Sequence, residues 1–98
     1  MIDLRPEHLE EVLRILAAVV PGVEVRAFGS RTDGSSQEFS DLDLVLCGDS
    51  ALDWRLLERL KDALSASDLP FHVDVLDWHA ASAAFRQTIA AKSVPLRS

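Results

Sequence analysis

Between residues 29 and 46 the chain reads GSRTDGSSQEFSDLDLVL. The stretch opens with a Gly-Ser pair directly after one short apolar run and closes with Asp41 and Asp43 inside a second apolar run. Side chains alternate between the two faces of a β-strand, so a strand over 41–46 places both carboxylates on one face and its leucines on the other. At strand spacing these carboxylates are about 7 Å apart. The stretch therefore predicts a strand with one apolar face and one acidic face.

The two ends of this stretch suit the binding of a metal-bound phosphate. Asp41 and Asp43 offer the oxygen ligands of hard divalent cations such as Mg²⁺, which often bring substrate phosphates with them. Gly29 permits a close backbone approach, and backbone N–H groups together with the Ser30 hydroxyl can bind an anion. The sequence thus predicts a phosphate and metal site where the glycine turn meets the acidic strand.

Composition narrows the class of protein. The 98 residues are expected to form one domain, 1–98. The net charge of −6 and the absence of a basic run argue against binding nucleic acid or an anionic membrane surface. The longest apolar run, 15–21, is too short to span a membrane, and the N-terminus lacks the pattern of a signal peptide. The single cysteine, Cys47, is expected to be a reduced, buried thiol in a cytoplasmic protein.

Hydrophobic periodicity predicts the order α-β-(turn)-β-α-β-α. A Pro6 start, a capping box of Ser50 with Asp53, and an Asp77 cap are expected to begin the three helices. Because the segment 94–96 contains a proline, we expect an edge strand there at most. This order predicts an α/β domain, of α+β type, with a small mixed sheet. Helices are expected over 6–20, 51–66 and 78–91, and strands over 23–28, 41–46 and 71–76.

A third carboxylate, Asp74, lies at the centre of the third predicted strand. It falls on the face opposite to Val73 and Val75, just as Asp41 and Asp43 fall opposite to their leucines. If the apolar faces pack on the same helices, all three carboxylates meet on the other face. Taken alone, Asp74 has the pattern of an ordinary exposed strand residue, and the upstream motif favours a metal ligand.

The remaining aromatic and histidine residues carry weaker signals. The aromatic side chains of the predicted helices are expected in the core or at its edge: Trp54, Trp78 and Phe85. Because Trp54 lies off its own helix's apolar stripe, a second interpretation makes it an interface anchor. His8, His72 and His79 have no spacing typical of a zinc site, so we expect them on the surface or in the sheet.

The Gly-Ser pair, ten intervening residues and the Asp-x-Asp motif together resemble the signature of the DNA polymerase β-like nucleotidyltransferase superfamily. At this length the chain resembles the smallest branch, the minimal nucleotidyltransferase (MNT) domain, over residues 23–85. The resemblance implies that family's fold, ATP as substrate and two Mg²⁺ ions, with Asp74 also able to accept the proton of the attacking hydroxyl. It implies metal-binding and catalytic roles for Asp41, Asp43 and Asp74, and ATP binding by Gly29, Ser30, Arg31, Asp41 and Asp43.

The same resemblance implies a biological role. Because the chain resembles an MNT domain, it is expected to be an antitoxin that acts as a protein adenylyltransferase. Such an antitoxin moves AMP from ATP to a tyrosine hydroxyl of a cognate HEPN ribonuclease toxin. The chain contains no tyrosine, so an acceptor tyrosine must belong to another chain. The sequence leaves two alternatives open. One is a non-catalytic antitoxin that occludes the toxin through the alanine-rich last helix, and the other is a nucleotidyltransferase acting on a small molecule, which the lack of an appended substrate-binding domain disfavours.

Overall fold

The computed structural model describes residues 4–29 and 41–97. The four described strands form one sheet in the order β3-β2-β1-β4, in which β2 and β3 are parallel while β1 is antiparallel to both β2 and β4. The predicted mixed sheet between helices is therefore confirmed. In chain order the elements are α1 (Pro6–Val19), β1 (Glu24–Phe28), β2 (Leu42–Cys47), α2 (Trp54–Ser65), β3 (Val73–Asp77), a 3₁₀ turn (Trp78–Ala80), α3 (Ala83–Lys92) and β4 (Val94–Arg97).

One face of the sheet carries the main core. The strand register aligns Leu42 with Val73 and Leu44 with Val75, so the apolar sides of β2 and β3 face the same way. The apolar stripes of α1 and α2 pack against them, as the predicted parity requires. The buried members of this cluster are Val12, Ile15, Leu16, Val20, Val25, Ala27, Leu42, Leu44, Leu46, Leu60, Leu64, Phe71, Val73 and Val75.

The second helix begins later than predicted. The side chain of Asp53 accepts a hydrogen bond from the Arg55 N–H at 3.0 Å, so Asp53 is the N-cap and the expected capping box from Ser50 is wrong. The cause is a tertiary contact. The N–H of Leu52 donates to Asp77 Oδ2 at 2.9 Å, which ties this segment to β3 and keeps it out of the helix.

The last predicted helix is divided in two. Asp77 caps only the short 3₁₀ turn, accepting from the His79 N–H at 3.1 Å, and Ser82 Oγ accepts from the Phe85 N–H at 3.1 Å to start α3. The single helix expected over 78–91 is therefore wrong, because Ser82 offers a second N-cap. The expected edge strand is present as β4, with Pro95 inside it and a register irregularity opposite β1.

Helix α3 lies on the other face of the sheet. The rings of Phe28 and Phe85 meet edge to face at 5.7 Å between centroids, and Arg26 Nε donates to Ser93 Oγ at 2.7 Å. Val45 is fully buried on this face. None of the helices in the described ranges is long and apolar enough to cross a membrane.

Two aromatic side chains expected in or near the core are exposed. Trp54 is 67% exposed on α2 and Phe85 is 39% exposed on α3, whereas Trp78 is half-buried. The core interpretation is thus wrong for Trp54, whose ring lies under the Arg55 guanidinium at 5.5 Å.

Candidate active site

The predicted carboxylates lie at one end of the sheet face that α3 only partly covers. Asp43 of β2 and Asp74 of β3 are aligned in register, and neighbouring strands are about 4.8 Å apart. Asp41 precedes β2 by one residue and shares the parity of Asp43. Asp41 and Asp74 are exposed, while Asp43 is half-buried between flanking strands. The fold therefore gathers three acidic side chains on neighbouring strands.

The three carboxylates lie close enough to influence the pKa of Asp43. Burial raises the pKa of Asp43, and the negative charges of Asp74 and then Asp41 raise it further, while His72 acts in the opposite direction. Repulsion among like charges destabilises the ionised form. A cation placed among these carboxylates would relieve that repulsion.

Gly29 brings the backbone against the same carboxylate. Phe28, the last residue of β1, pairs with Asp43 in the antiparallel register, and Gly29 follows with a φ of +83°. A Cβ atom at Gly29 would lie 2.5 Å from Asp43 Oδ2, which is closer than any normal contact. Only glycine permits this approach and this backbone conformation together. Ser30 and Arg31, predicted to bind ATP phosphates, lie outside the described residues.

The donor set fits a magnesium ion that is shared with a ligand. Within residues 4–29 and 41–97, no group of three or more histidine, cysteine or acidic side chains is arranged to hold a metal ion by itself. Mg²⁺ in phosphoryl-transfer sites commonly uses one or two carboxylates and completes its octahedron with water and substrate phosphates. Asp43 and Asp74, with Asp41 beside them, match that smaller protein contribution.

His72 is a neighbour of the site that the sequence reasoning missed. It precedes β3 by one residue, and its carbonyl accepts a hydrogen bond from the Leu42 N–H at 2.9 Å. Parity places it on the face of Asp74, and its field lowers the pKa of Asp43. Strand parity alone puts His72 and Asp74 on the same face, although zinc spacing gives His72 no role.

Comparison with known proteins identifies the family to which the chain is similar. The family model described as "Polymerase beta, Nucleotidyltransferase" matches residues 10–98. A curated protein from Haemophilus influenzae, "Probable protein adenylyltransferase MntA", is 46% identical over 88 residues, which is 90% of this chain and 77% of the relative.

Solved structures with the same fold include toxin–antitoxin complexes. One, a toxin–antitoxin with AMP-PNP, gives a TM-score of 0.69 at 24% identity, covering 92% of this chain and 73% of that one. Another, a tri-AMPylated Shewanella oneidensis HEPN toxin in complex with an MNT antitoxin, gives 0.66 at 21% identity, covering 97% and 73%. At these identities the likeness concerns the fold.

Proposed function

This chain belongs to the polymerase beta nucleotidyltransferase family, and we propose that it is an antitoxin that transfers AMP from ATP to a tyrosine hydroxyl of a cognate HEPN toxin. The observation that carries the proposal is the alignment of Asp43 with Asp74 beside the close-approach glycine, Gly29. Two carboxylates on adjacent strands, beside a glycine at which the backbone approaches one of them closely, suit the binding of a metal-bound phosphate and therefore phosphoryl transfer.

The proposed reaction is a single displacement at the α-phosphorus of ATP. The acceptor oxygen forms a bond to that phosphorus, the bond to the β-phosphate oxygen breaks, and pyrophosphate leaves. The acceptor proton passes to the Asp74 carboxylate, which is exposed and therefore open to an incoming hydroxyl. Asp43 and Asp41 would hold the Mg²⁺ of the nucleotide, and the ion would neutralise phosphate charge.

The identity of the acceptor rests on four observations. The relative from Haemophilus influenzae carries the name of a protein adenylyltransferase, and solved neighbours of the same fold are complexes with HEPN toxins. The chain itself contains no tyrosine to modify. Its net charge of −6 favours encounter with a basic partner such as a ribonuclease.

Intact-mass spectrometry tests the proposal directly. The protein, its co-encoded HEPN toxin, ATP and Mg²⁺ are incubated together, and we expect mass increments of AMP on the toxin alone. Asp43→Asn should abolish the increments, whereas Asp62→Asn, which removes an exposed carboxylate from α2 on the opposite layer, should leave them unchanged.

Neutralisation by occlusion is the second candidate, and one feature favours it. Helix α3 exposes several alanines, a surface that can pack against a protein partner: Ala83, Ala84, Ala90 and Ala91. If the toxin is silenced without any mass change, and a variant with Asp41, Asp43 and Asp74 all changed to Asn silences it equally well, transfer is not the mechanism and occlusion is.

A further inference from the structure

An aromatic ledge borders the carboxylates on the β1 side. We give this name to Phe28, half-buried at the end of β1, and Phe85, on the first turn of α3. Their rings meet edge to face with an interplanar angle of 84°. Phe85 keeps 39% of its surface exposed, although a ring of this size would be more stable in the core.

The ledge is held firmly in its place. The Phe85 N–H donates to Ser82 Oγ at 3.1 Å, which fixes the start of α3. The next residue, Arg86, donates from Nε to the Trp78 carbonyl at 2.9 Å and from Nη2 to the His79 carbonyl at 3.0 Å. The Arg86 side chain thus locks the first turn of α3 to the 3₁₀ turn. The backbone that carries Phe85 is therefore held in place, and the contact of its ring with Phe28 lowers the entropy cost of binding.

The position of the ledge relates it to the nucleotide. Phe28 and Asp43 are paired across antiparallel strands, so their Cα atoms lie about 5 Å apart. The Phe85 ring in turn contacts the Phe28 ring, with 5.7 Å between their centroids. In a nucleotide a ribose separates the α-phosphate from the base. With its phosphates at Asp43 and Gly29, a nucleotide directed toward β1 brings its base to Phe85.

We propose that Phe85, supported by Phe28, is the nucleobase platform of this site and that it selects purine over pyrimidine nucleotides. The inference rests on the proposed nucleotidyl transfer and names a determinant of its substrate choice. Stacking on an aromatic face depends on the overlapping area and not on the hydrogen-bond pattern of the base. Purines therefore bind more tightly than pyrimidines, while the ledge does not separate adenine from guanine.

Steady-state transfer to the toxin, measured for ATP, GTP, CTP and UTP, tests the platform. Phe85→Ala should raise KM for ATP and GTP about 5- to 30-fold, with a smaller rise for CTP and UTP and kcat at saturation within about twofold. Phe85→Trp keeps an aromatic ring and should leave KM at the wild-type value. Phe85→Leu keeps apolar bulk on α3 but not the ring, and should behave like Phe85→Ala. Trp54→Ala removes an exposed aromatic ring from a helix on the opposite layer, and should leave KM unchanged for all four nucleotides.

The outcomes separate this inference from the proposed function. If the wild-type protein labels no toxin with any nucleotide, the proposed transfer fails. If it labels the toxin and Phe85→Ala leaves all four KM values unchanged, or Phe85→Leu restores them, Phe85 is not a stacking platform. If Phe85→Ala instead weakens the complex with the toxin at unchanged KM for ATP, the ledge is a protein contact and the inference is overturned.

Discussion

Two carboxylates of this small sheet, Asp43 and Asp77, have opposite surroundings. Asp77, at the end of β3, is 5% exposed, and its oxygens accept hydrogen bonds from two backbone N–H groups, those of Leu52 and His79. Asp43 is half-buried and has two other carboxylates close enough to raise its pKa. Aspartate therefore stabilises the fold through hydrogen bonds at one end of the sheet and concentrates negative charge at the other end.

The difference follows from what each carboxylate meets. Backbone N–H groups at the start of a turn are permanent donors, so Asp77 stabilises the protein in every state of the reaction. Carboxylates facing one another are unfavourable until a cation arrives. A surplus of like charge at a sheet end therefore favours the binding of a cation, whereas a buried, hydrogen-bonded carboxylate stabilises the fold.

The largest expected effect is on catalysis at the acidic end. Asp74→Asn should lower the rate of AMP transfer about 10²–10⁴-fold, because the variant loses both the proton acceptor and a metal-binding charge. Single-turnover kinetics with the toxin and ATP measure this. Binding of the toxin, followed by gel filtration, should be unchanged. Transfer at the wild-type rate would remove Asp74 from the mechanism.

Substitution of Asp77, at the opposite end of the sheet, should change the stability of the protein. Asp77→Ala leaves two backbone donors without their acceptor and should lower the free energy of unfolding by about 2–4 kcal/mol, measured by urea denaturation. Asp49→Ala, an exposed carboxylate near the same turn, should cost under about 0.5 kcal/mol. An Asp77→Ala protein as stable as the wild type would show that the hydrogen bonds to Leu52 and His79 do not hold the fold.

Local patterns in the sequence were sufficient to predict which face of the sheet carries the acidic side chains. Strand alternation alone places Asp43 and Asp74 opposite to leucine and valine, and the packed core confirms that parity. Strand parity predicts that Asp43 and Asp74 share one face. That they are direct neighbours depends on the register of β2 and β3, which is set by tertiary structure. The alternation also placed Phe28 on the acidic face, a consequence that the sequence reasoning did not draw.

Features that depend on contacts between distant segments were not predictable in this way. The capping box at Ser50 failed because Asp77, 25 residues away from Leu52, takes the Leu52 N–H. The break after the 3₁₀ turn comes with the Ser82 cap, and Arg86 donates across it to the Trp78 carbonyl. Phe85 lies on the first turn of the helix that starts there. Periodicity cannot report which of several caps tertiary contacts will use.

Substitution of Gly29 should have a smaller effect on stability and a specific effect on transfer. In Gly29→Ala the new Cβ would meet Asp43 Oδ2, and alanine is strained at a φ of +83°. We expect a loss of about 1–2 kcal/mol in stability and a loss of transfer of at least about tenfold, because the carboxylate must move. Gly22→Ala provides the matched control, since Gly22 has a φ of +80° with open space around it. It should lose stability only through the backbone strain, by no more than Gly29→Ala, with normal transfer.

The smallest effect tests the charge surplus itself. Because the folded-state pKa of Asp43 is raised, its contribution to stability is fully present below the unfolded-state pKa and is lost as the pH rises through the folded-state value. Without Mg²⁺ at neutral pH, Asp43→Asn should therefore be more stable than the wild type, with a Tm higher by about 1–3 °C. Asp41→Asn should likewise leave the metal-free Tm unchanged or raise it.

The difference between Asp43→Asn and the wild type should shrink as the pH is lowered through the raised pKa of Asp43, because the wild-type carboxyl then becomes protonated. Mg²⁺ with ATP should stabilise the wild type more than the variant, since a ligand that binds only the native state stabilises it by mass action. Thermal unfolding followed by circular dichroism, with and without Mg²⁺ and ATP, measures both trends, and Asp62→Asn serves as the control for the loss of one charge. A clear drop in the metal-free Tm of Asp43→Asn would mean that Asp43, like Asp77, is held by donors and serves the fold.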